Sequence, residues 1–202
     1  MSDRFLSPME RVRKYGEVFT PKTIVDSMIK QSGVLDELNE LDSTFLEPAA
    51  GNGAFLVEIL NHKMQIAFEK SGRDIAHYEN NVLIALTSLY GIELLEDNIE
   101  MLVMNMYGAF YNEYVKALMH FSGKENLKVL ESAKIIIQAN IVQGNSLTGL
   151  KSDGQKIVLS EWKPIFKNGG KKVQRTEYTL EAIQNNLGPI ESSEPMIENE
   201  ID

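Results

Sequence analysis

The chain is expected to fold as an α/β protein with a mainly parallel sheet, helices on both faces and a C-terminal hairpin. Three observations lead there. Short apolar runs of strand length alternate with longer runs of helical periodicity, the order that builds βαβ units. The first of the short runs opens into "EPAAGNGAF" (47–55), a turn rich in small residues that passes directly into an amphipathic segment. Finally, "WKPIFKNGGKKVQRTEYTL" (162–180) carries Asn168-Gly169-Gly170 between two strand-like arms, a hairpin signal.

After a polar lead-in, "TPKTIVDSMIKQSGVL" spaces Ile24, Val25, Met28 and Ile29 helically, with Thr20 as N-cap and Pro21 at the first helical position. Residues 44–47 form a short strand that stops at Pro48. From Ala54 the periodicity turns helical through Phe55, Leu56, Ile59, Leu60, Met64 and Phe68, and ends near Ser71-Gly72. "HYENNVLIALTSL" is a further helix and "LYGIEL" a buried strand ended by an acid. "EDNIEMLVMNMYGAFYNEYVKALMHFSG" is a long helix whose Met and aromatic stripe faces the core. "ENLKVLESAKIIIQA" continues helically, "NIVQGNSL" reads as strand then loop, and "QKIVLSEW" is a fourth strand leading into the hairpin.

Bulk properties narrow the chemistry. The 202 residues suit one domain with a real core, and 43% are hydrophobic against 24% charged. There is no cysteine, which excludes disulfides, thiolate nucleophiles and thiolate zinc sites. His62, His77 and His120 lack ligand spacing, so no metal is expected. No apolar run reaches membrane-spanning length and the N-terminus lacks a secretory core, so a cytoplasmic location is expected. The net charge of −9 belongs to one end, because residues 1–175 carry 20 basic and 22 acidic residues. The last stretch, "GPIESSEPMIENEID", reads as a disordered acidic tail, either plainly solvating or a lure for a basic partner.

In parallel sheets the ligand sits beyond the C-terminal ends of the strands, and the turn at 47–55 occupies that place. Gly51 and Gly53 let backbone approach a ligand, and the helix from Ala54 offers unpaired N–H groups. A phosphate loop needs Gly-Lys-Ser/Thr, which is missing, and a dinucleotide fingerprint wants a small residue where Leu56 stands. Glu47 at the mouth repels an anion and favours a cationic ligand. S-adenosylmethionine, with its sulfonium and ammonium, has that sign. Glu93, ending "LYGIEL", can accept ribose hydroxyls through charge-assisted bonds. Glu96 and Asp97 better suit the role of helix N-terminal charges.

"YGEVFTPKTIVDSMI", "FLEPAAGNGAFL", "LYGIELLEDNIEM" and "IVQGNSL" together resemble, in order, the first four motifs of N6-adenine DNA methyltransferases. The likeness is to type I modification subunits and related type II enzymes, and spans about residues 14–150. It implies a shortened Rossmann-like S-adenosylmethionine-dependent methyltransferase fold. The domain would cover 1–185, with a cofactor-clamp region at 14–32, a core at 43–160, the hairpin at 161–180 and the tail at 186–202. By this likeness Phe19, Thr20 and Pro21 close over the methionine end of the cofactor. Glu47, Ala49, Gly51 and Gly53 line the loop beneath it, Glu93 holds the ribose, and Leu94 and Leu147 flank the adenine. Asn145 stands where the family usually has Asp, and its amide oxygen can accept the adenine amino proton.

The family's catalytic Asp/Asn/Ser-Pro-Pro-Tyr/Phe motif is missing, since none of the six prolines are adjacent. "VLSEWKPIF" takes its place. There Ser160 or Glu161 can accept a proton, while Trp162, the only Trp, either stacks on an extruded base or anchors the hairpin to the core. Lys163, Lys167, Lys171, Lys172 and Arg175 form the one basic cluster, which either touches DNA phosphates or guards an edge. Fewer than sixty residues follow Asn145, so the later strands of the family are expected to be missing and an edge left for the hairpin, a partner subunit or a second copy to cover. Two functions follow: a compact DNA adenine methyltransferase with an altered catalytic segment, or a cofactor-binding subunit, regulator or decoy of a restriction-modification system. A methyltransferase for another acceptor is a third.

Overall fold

The computed structural model describes residues 7–17, 20–167 and 170–190. Helix α1 (Pro8–Tyr15) is followed by α2 (Lys22–Ile29), α3 (Ser32–Leu38), strand β1 (Phe45–Glu47), α4 (Ala54–Ser71) and α5 (Ile75–Thr87). Then come β2 (Leu89–Glu93), α6 (Glu96–Phe121), α7 (Leu127–Asn140) and β3 (Ile141–Gln143). The hairpin strands β4 (Val158–Lys167) and β5 (Gly170–Thr179) lead into a short α8 (Leu180–Gln184).

Most helix boundaries follow local chemistry. Helix α1, within the expected polar lead-in, is built by a capping box between Ser7 and Glu10 and closed by Gly16 in the left-handed conformation. Helix α5 is capped by Asp74, whose side chain accepts from the Ala76 and His77 N–H groups. The helix expected over 20–35 is instead two, α2 and α3, separated at Lys30-Gln31. Pro21, not Thr20, is the N-cap of α2, because its carbonyl accepts the first-turn N–H bonds from Ile24 and Val25.

The sheet is parallel, in the order β1-β2-β3, with Phe45 opposite Leu89 and Glu93 opposite Gln143. The run 155–162 does not add a fourth strand to it. That run enters β4, which pairs antiparallel with β5 alone, from Val158–Thr179 to Lys167–Gly170.

Helices on both faces were expected, but the helices joining β1 to β2 and β2 to β3 share one face. The chain steps in a single direction across the sheet, and right-handed crossovers in one direction all fall on one side. Strand β2 shows the division by alternation. Leu89 packs with Leu56, Ile59, Leu102, Phe110 and Ile137 in the helical core. Tyr90 and Ile92 pack instead with Ile157, Leu159 and Leu180, so the hairpin and α8 cover the opposite face. The Tyr90 hydroxyl donates to the Ser160 carbonyl at 2.6 Å and fixes that layer. Gly91 is pressed between Leu56, Ile141 and Leu102, with a Cβ placed there meeting carbons at 3.0–3.3 Å.

One charged residue belongs to the helical core. Lys63 is fully buried on α4, at the stripe position between Leu60 and Met64. Its ammonium donates to the carbonyls of Glu40, Leu41 and Ser43 and to Ser88 Oγ, at 2.6–3.1 Å. It thereby ties the segment before β1 to the turn before β2.

Candidate functional site

Strands β1, β2 and β3 end at Glu47, Glu93 and Gln143, so these residues rim one end of the sheet. Strand alternation puts Glu47 and Glu93 on the same face, the one where α4 begins. The loop between β1 and α4 folds back over β2, with the Ala50 N–H donating to the Ile92 carbonyl at 3.0 Å. The next N–H, of Gly51, donates to Glu93 Oε2 at 2.8 Å. Gly51 has φ +54° and no atom within 4 Å of where a Cβ would stand, which leaves the loop surface open to a ligand. Gly53, the N-cap of α4, has φ +88°, and a Cβ there would come within 2.2 Å of Leu102 Cδ1. The left-handed backbone and the contact with Leu102 together favour glycine there.

Glu93 is buried, 8% exposed, and organises this end through three contacts. Besides Gly51, the Leu95 N–H donates to Oε1 at 3.0 Å and Asn98 Nδ2 lies 3.4 Å from the same oxygen. Glu47 is only partly buried. Desolvation raises its pKa above the ordinary carboxylate value, opposed by a bond from the Ala49 N–H. A cationic ligand beside Glu47 would offset that desolvation. The Asn105 side chain donates to the Asn52 carbonyl at 2.8 Å, tying the outer part of the loop to α6.

Sequence inspection missed a polar network that leads into this site. Arg11 of α1 donates through Nε and Nη2 to the Glu17 carboxylate and through Nη1 to Asp97 Oδ2, the last at 2.6 Å. Asn98 Nδ2 donates to Glu17 Oε1 at 2.6 Å while also reaching Glu93. Arg11 holds both Glu17 and Asp97 below their ordinary carboxylate pKa values. Asp97 is therefore more than the helix-terminal charge expected of it. Acids and an Arg spread over 86 residues carry no periodic signal, which is why spacing could not reveal them.

The other expected site residues fall into three groups. Ala49 joins the Glu47 loop, and Leu94 and Leu147 stand exposed at 44% and 96% beside the mouth. Thr20 and Pro21 are exposed at the start of α2, and Phe19 lies outside the described residues. Asn145 differs from expectation. Its amide oxygen accepts from the Leu147 and Thr148 N–H groups at 3.0 and 3.4 Å, so it caps its own turn rather than standing free for an adenine amino group.

Glu161 and Trp162, the residues expected to be catalytic, are not brought to the mouth formed by Glu47 and Glu93. Trp162 Nε1 donates at 2.8 Å to Asn140, the residue preceding β3 and hence at the opposite end of the sheet from Glu93. Arg175 lies 5.7 Å from the Trp162 ring centroid, and the indole packs against both apolar clusters. Trp162 is the anchor of the hairpin. Glu161 is held by the Tyr178 hydroxyl and by Lys163, both at 3.1 Å. Of the basic cluster, Lys163 is thus paired with Glu161, and Arg175 with Ser160 and Glu177 at 2.8 Å each. The side chains of Lys167, Lys171 and Lys172 lie outside the described residues.

An anchoring role makes a definite prediction. Trp162→Phe keeps an aromatic ring, though a smaller one, but leaves Asn140 Oδ1 without its donor, so unfolding stability should fall by about 1–2 kcal/mol. Ligand affinity at the Glu93 end should not change. Denaturant unfolding and calorimetry on the same sample test both parts.

In open α/β sheets the ligand crevice lies beyond the C-terminal ends of the strands, and here that end carries a glycine turn and two acids. The family profile described as N-6 DNA Methylase matches residues 5–124, more than half of the sequence, and the chain belongs to that family. The matched region contains the Gly51–Gly53 loop and Glu93 and leaves β3 and the hairpin outside. The family comprises S-adenosylmethionine-dependent N6-adenine methyltransferases with a Rossmann-like fold. No curated protein matches the chain, and no solved structure does. Among the described residues no helix is long and apolar enough to cross a membrane.

Proposed function

We propose that this chain binds S-adenosylmethionine in the crevice between Glu47 and Glu93, as the cofactor-holding part of an adenine N6 DNA methylation system. The observation that carries the reading is the junction of Gly51 with Glu93, where a bare backbone turn and a buried carboxylate meet at the strand ends. The donor set fits the cofactor. Glu93 Oε2 accepts one N–H and keeps acceptor capacity for a ribose hydroxyl. Glu47 supplies negative charge for the ammonium or sulfonium, and Leu94 and Leu147 offer apolar surface to the adenine. When bound, the cofactor supplies an electrophilic methyl group. The chain's own work is to orient the nucleoside and balance its charge.

A second reading, a methyltransferase that acts alone, needs a group at the mouth to hold the target base. Glu161 and Trp162 offer none there. Moreover, among the described residues the glycine turn follows an edge strand: β1 has only β2 as neighbour there, and Leu46 is 39% exposed beside it. A ligand crevice in a doubly wound sheet is flanked on both sides. These features favour a subunit whose acceptor-holding groups come from a further strand.

Calorimetry with S-adenosylmethionine tests the shared claim, and saturable 1:1 binding is expected. If millimolar cofactor gives neither heat nor a rise in melting temperature, the reading fails. Transfer of a labelled methyl group to DNA by the purified chain alone would promote the second reading over the first.

A further inference from the structure

We propose that Arg11 is a positioning residue for the cofactor crevice, acting through Glu17 and Asn98 on the Glu93 carboxylate. The inference rests on the reading of that crevice as an S-adenosylmethionine site. Helix α1 is self-sufficient as a helix, with its capping box and its Gly16 terminus, but none of its described side chains is buried. Apolar packing therefore does not set where it sits. Among the described residues, the Arg11 guanidinium ties it to α6 through Asp97 and Asn98.

Arg11 is 12% exposed and Glu17 10% exposed, so the pair is shielded from solvent far more than an ordinary surface ion pair. The planar fork of Arg11 grips Glu17 with two nitrogens and reaches Asp97 with two, at 2.6 and 3.2 Å for the latter. Such a fork orients as well as attracts. Glu17, so held, takes a 2.6 Å bond from Asn98 Nδ2. Asn98 is 2% exposed, and the same amide nitrogen faces Glu93 Oε1 at 3.4 Å. The order Arg11, Glu17, Asn98, Glu93 is thus an unbroken line of polar contacts from the outer helix to the acid at the strand end. Without Arg11, Glu17 loses its counter-charge and turns toward water. Asn98 then loses its short acceptor, and its amide is free to rotate away from Glu93.

The test uses the full chain with S-adenosylmethionine as probe, in wild type, Arg11→Ala, Arg11→Lys and the double variant Arg11→Ala/Glu17→Ala. Arg11→Ala should weaken binding about tenfold, with the melting temperature lowered by less than about 4 °C, because no buried side chain is removed. Arg11→Lys restores the charge but not the fork, and should recover part of the loss. The double variant should bind no more weakly than Arg11→Ala, since both changes break one line of contacts. Wild-type affinity in Arg11→Ala, or a double variant that binds clearly more weakly than Arg11→Ala, would overturn the proposal while leaving the cofactor site intact. A large fall in melting temperature that accounts for the lost binding would overturn it too. Failure of the wild type to bind would instead bring down the site reading itself.

Discussion

Glu93→Ala should weaken S-adenosylmethionine binding about a hundredfold or more. A carboxylate bond to a ribose hydroxyl is worth about 1.5–3 kcal/mol, and each 1.4 kcal/mol is tenfold in affinity. Two hydroxyls on one acid therefore exceed about 3 kcal/mol. The geometry adds a condition. Oε1 already accepts from Leu95 and faces Asn98, and Oε2 accepts from Gly51. A carboxylate has about four acceptor sites, so one hydroxyl can bind as the site stands. Seating the second requires the Gly51 N–H to give up its bond to Oε2. Alanine also strips the loop of its acceptor and should lower thermal stability, so Glu93→Gln is the necessary companion. It keeps the volume and one oxygen, and should bind about tenfold more weakly than wild type. Calorimetry on both variants decides the matter. Equal affinity in wild type and Glu93→Ala would remove Glu93 from the ligand site.

Lys63→Met should lower unfolding stability by about 4 kcal/mol, which is roughly 8–16 °C in melting temperature for a chain of this size. Methionine fits the volume but leaves three carbonyls and Ser88 Oγ without the donor they share. Burial pushes the Lys63 pKa down to about 8, with Asp42 and Glu37 pulling it upward. The sign of the pH dependence follows. The unfolded chain holds this proton to a pKa of about 10.4, while the folded chain releases it near 8. Between those values the unfolded state binds more protons, so stability rises with pH across that window. Below pH 8 the cost of the buried charge is fully present. Wild type should therefore gain up to about 3 kcal/mol from Lys63 as pH climbs from 8 toward 10.4, and Lys63→Met should lack that component. Denaturant titrations at pH 7, 9 and 10 compare the two slopes. Parallel slopes would show that Lys63 is not the buried titrating group.

These two residues differ in how far the sequence could announce them. Glu93 ends a five-residue strand after the four-residue run Leu89–Ile92, so its place at a strand end was legible from the run alone. Lys63 was visible only as an oddity. It falls on the face of Leu56, Ile59, Leu60, Met64 and Ala67, where helical spacing calls for an apolar residue. A charge at such a position signals a cluster of carbonyls waiting beneath it, but nothing local says which ones.

Local pattern by itself determined the helices from Ala54 to Asn140, the three short strands, the glycine turn and the hairpin arms, because each is written in neighbouring residues. It also determined that two acids stand at strand ends. Only the tertiary structure decided that β4 leaves the parallel sheet to pair with β5, that Trp162 hangs from Asn140 at the far end, and that Asn145 caps its own loop. It alone joined Arg11 to Asp97. The physical reason is range. Periodicity and capping act within a few residues, whereas the choice of hydrogen-bond partner for an indole, an amide or a guanidinium is made only once distant segments have been packed side by side.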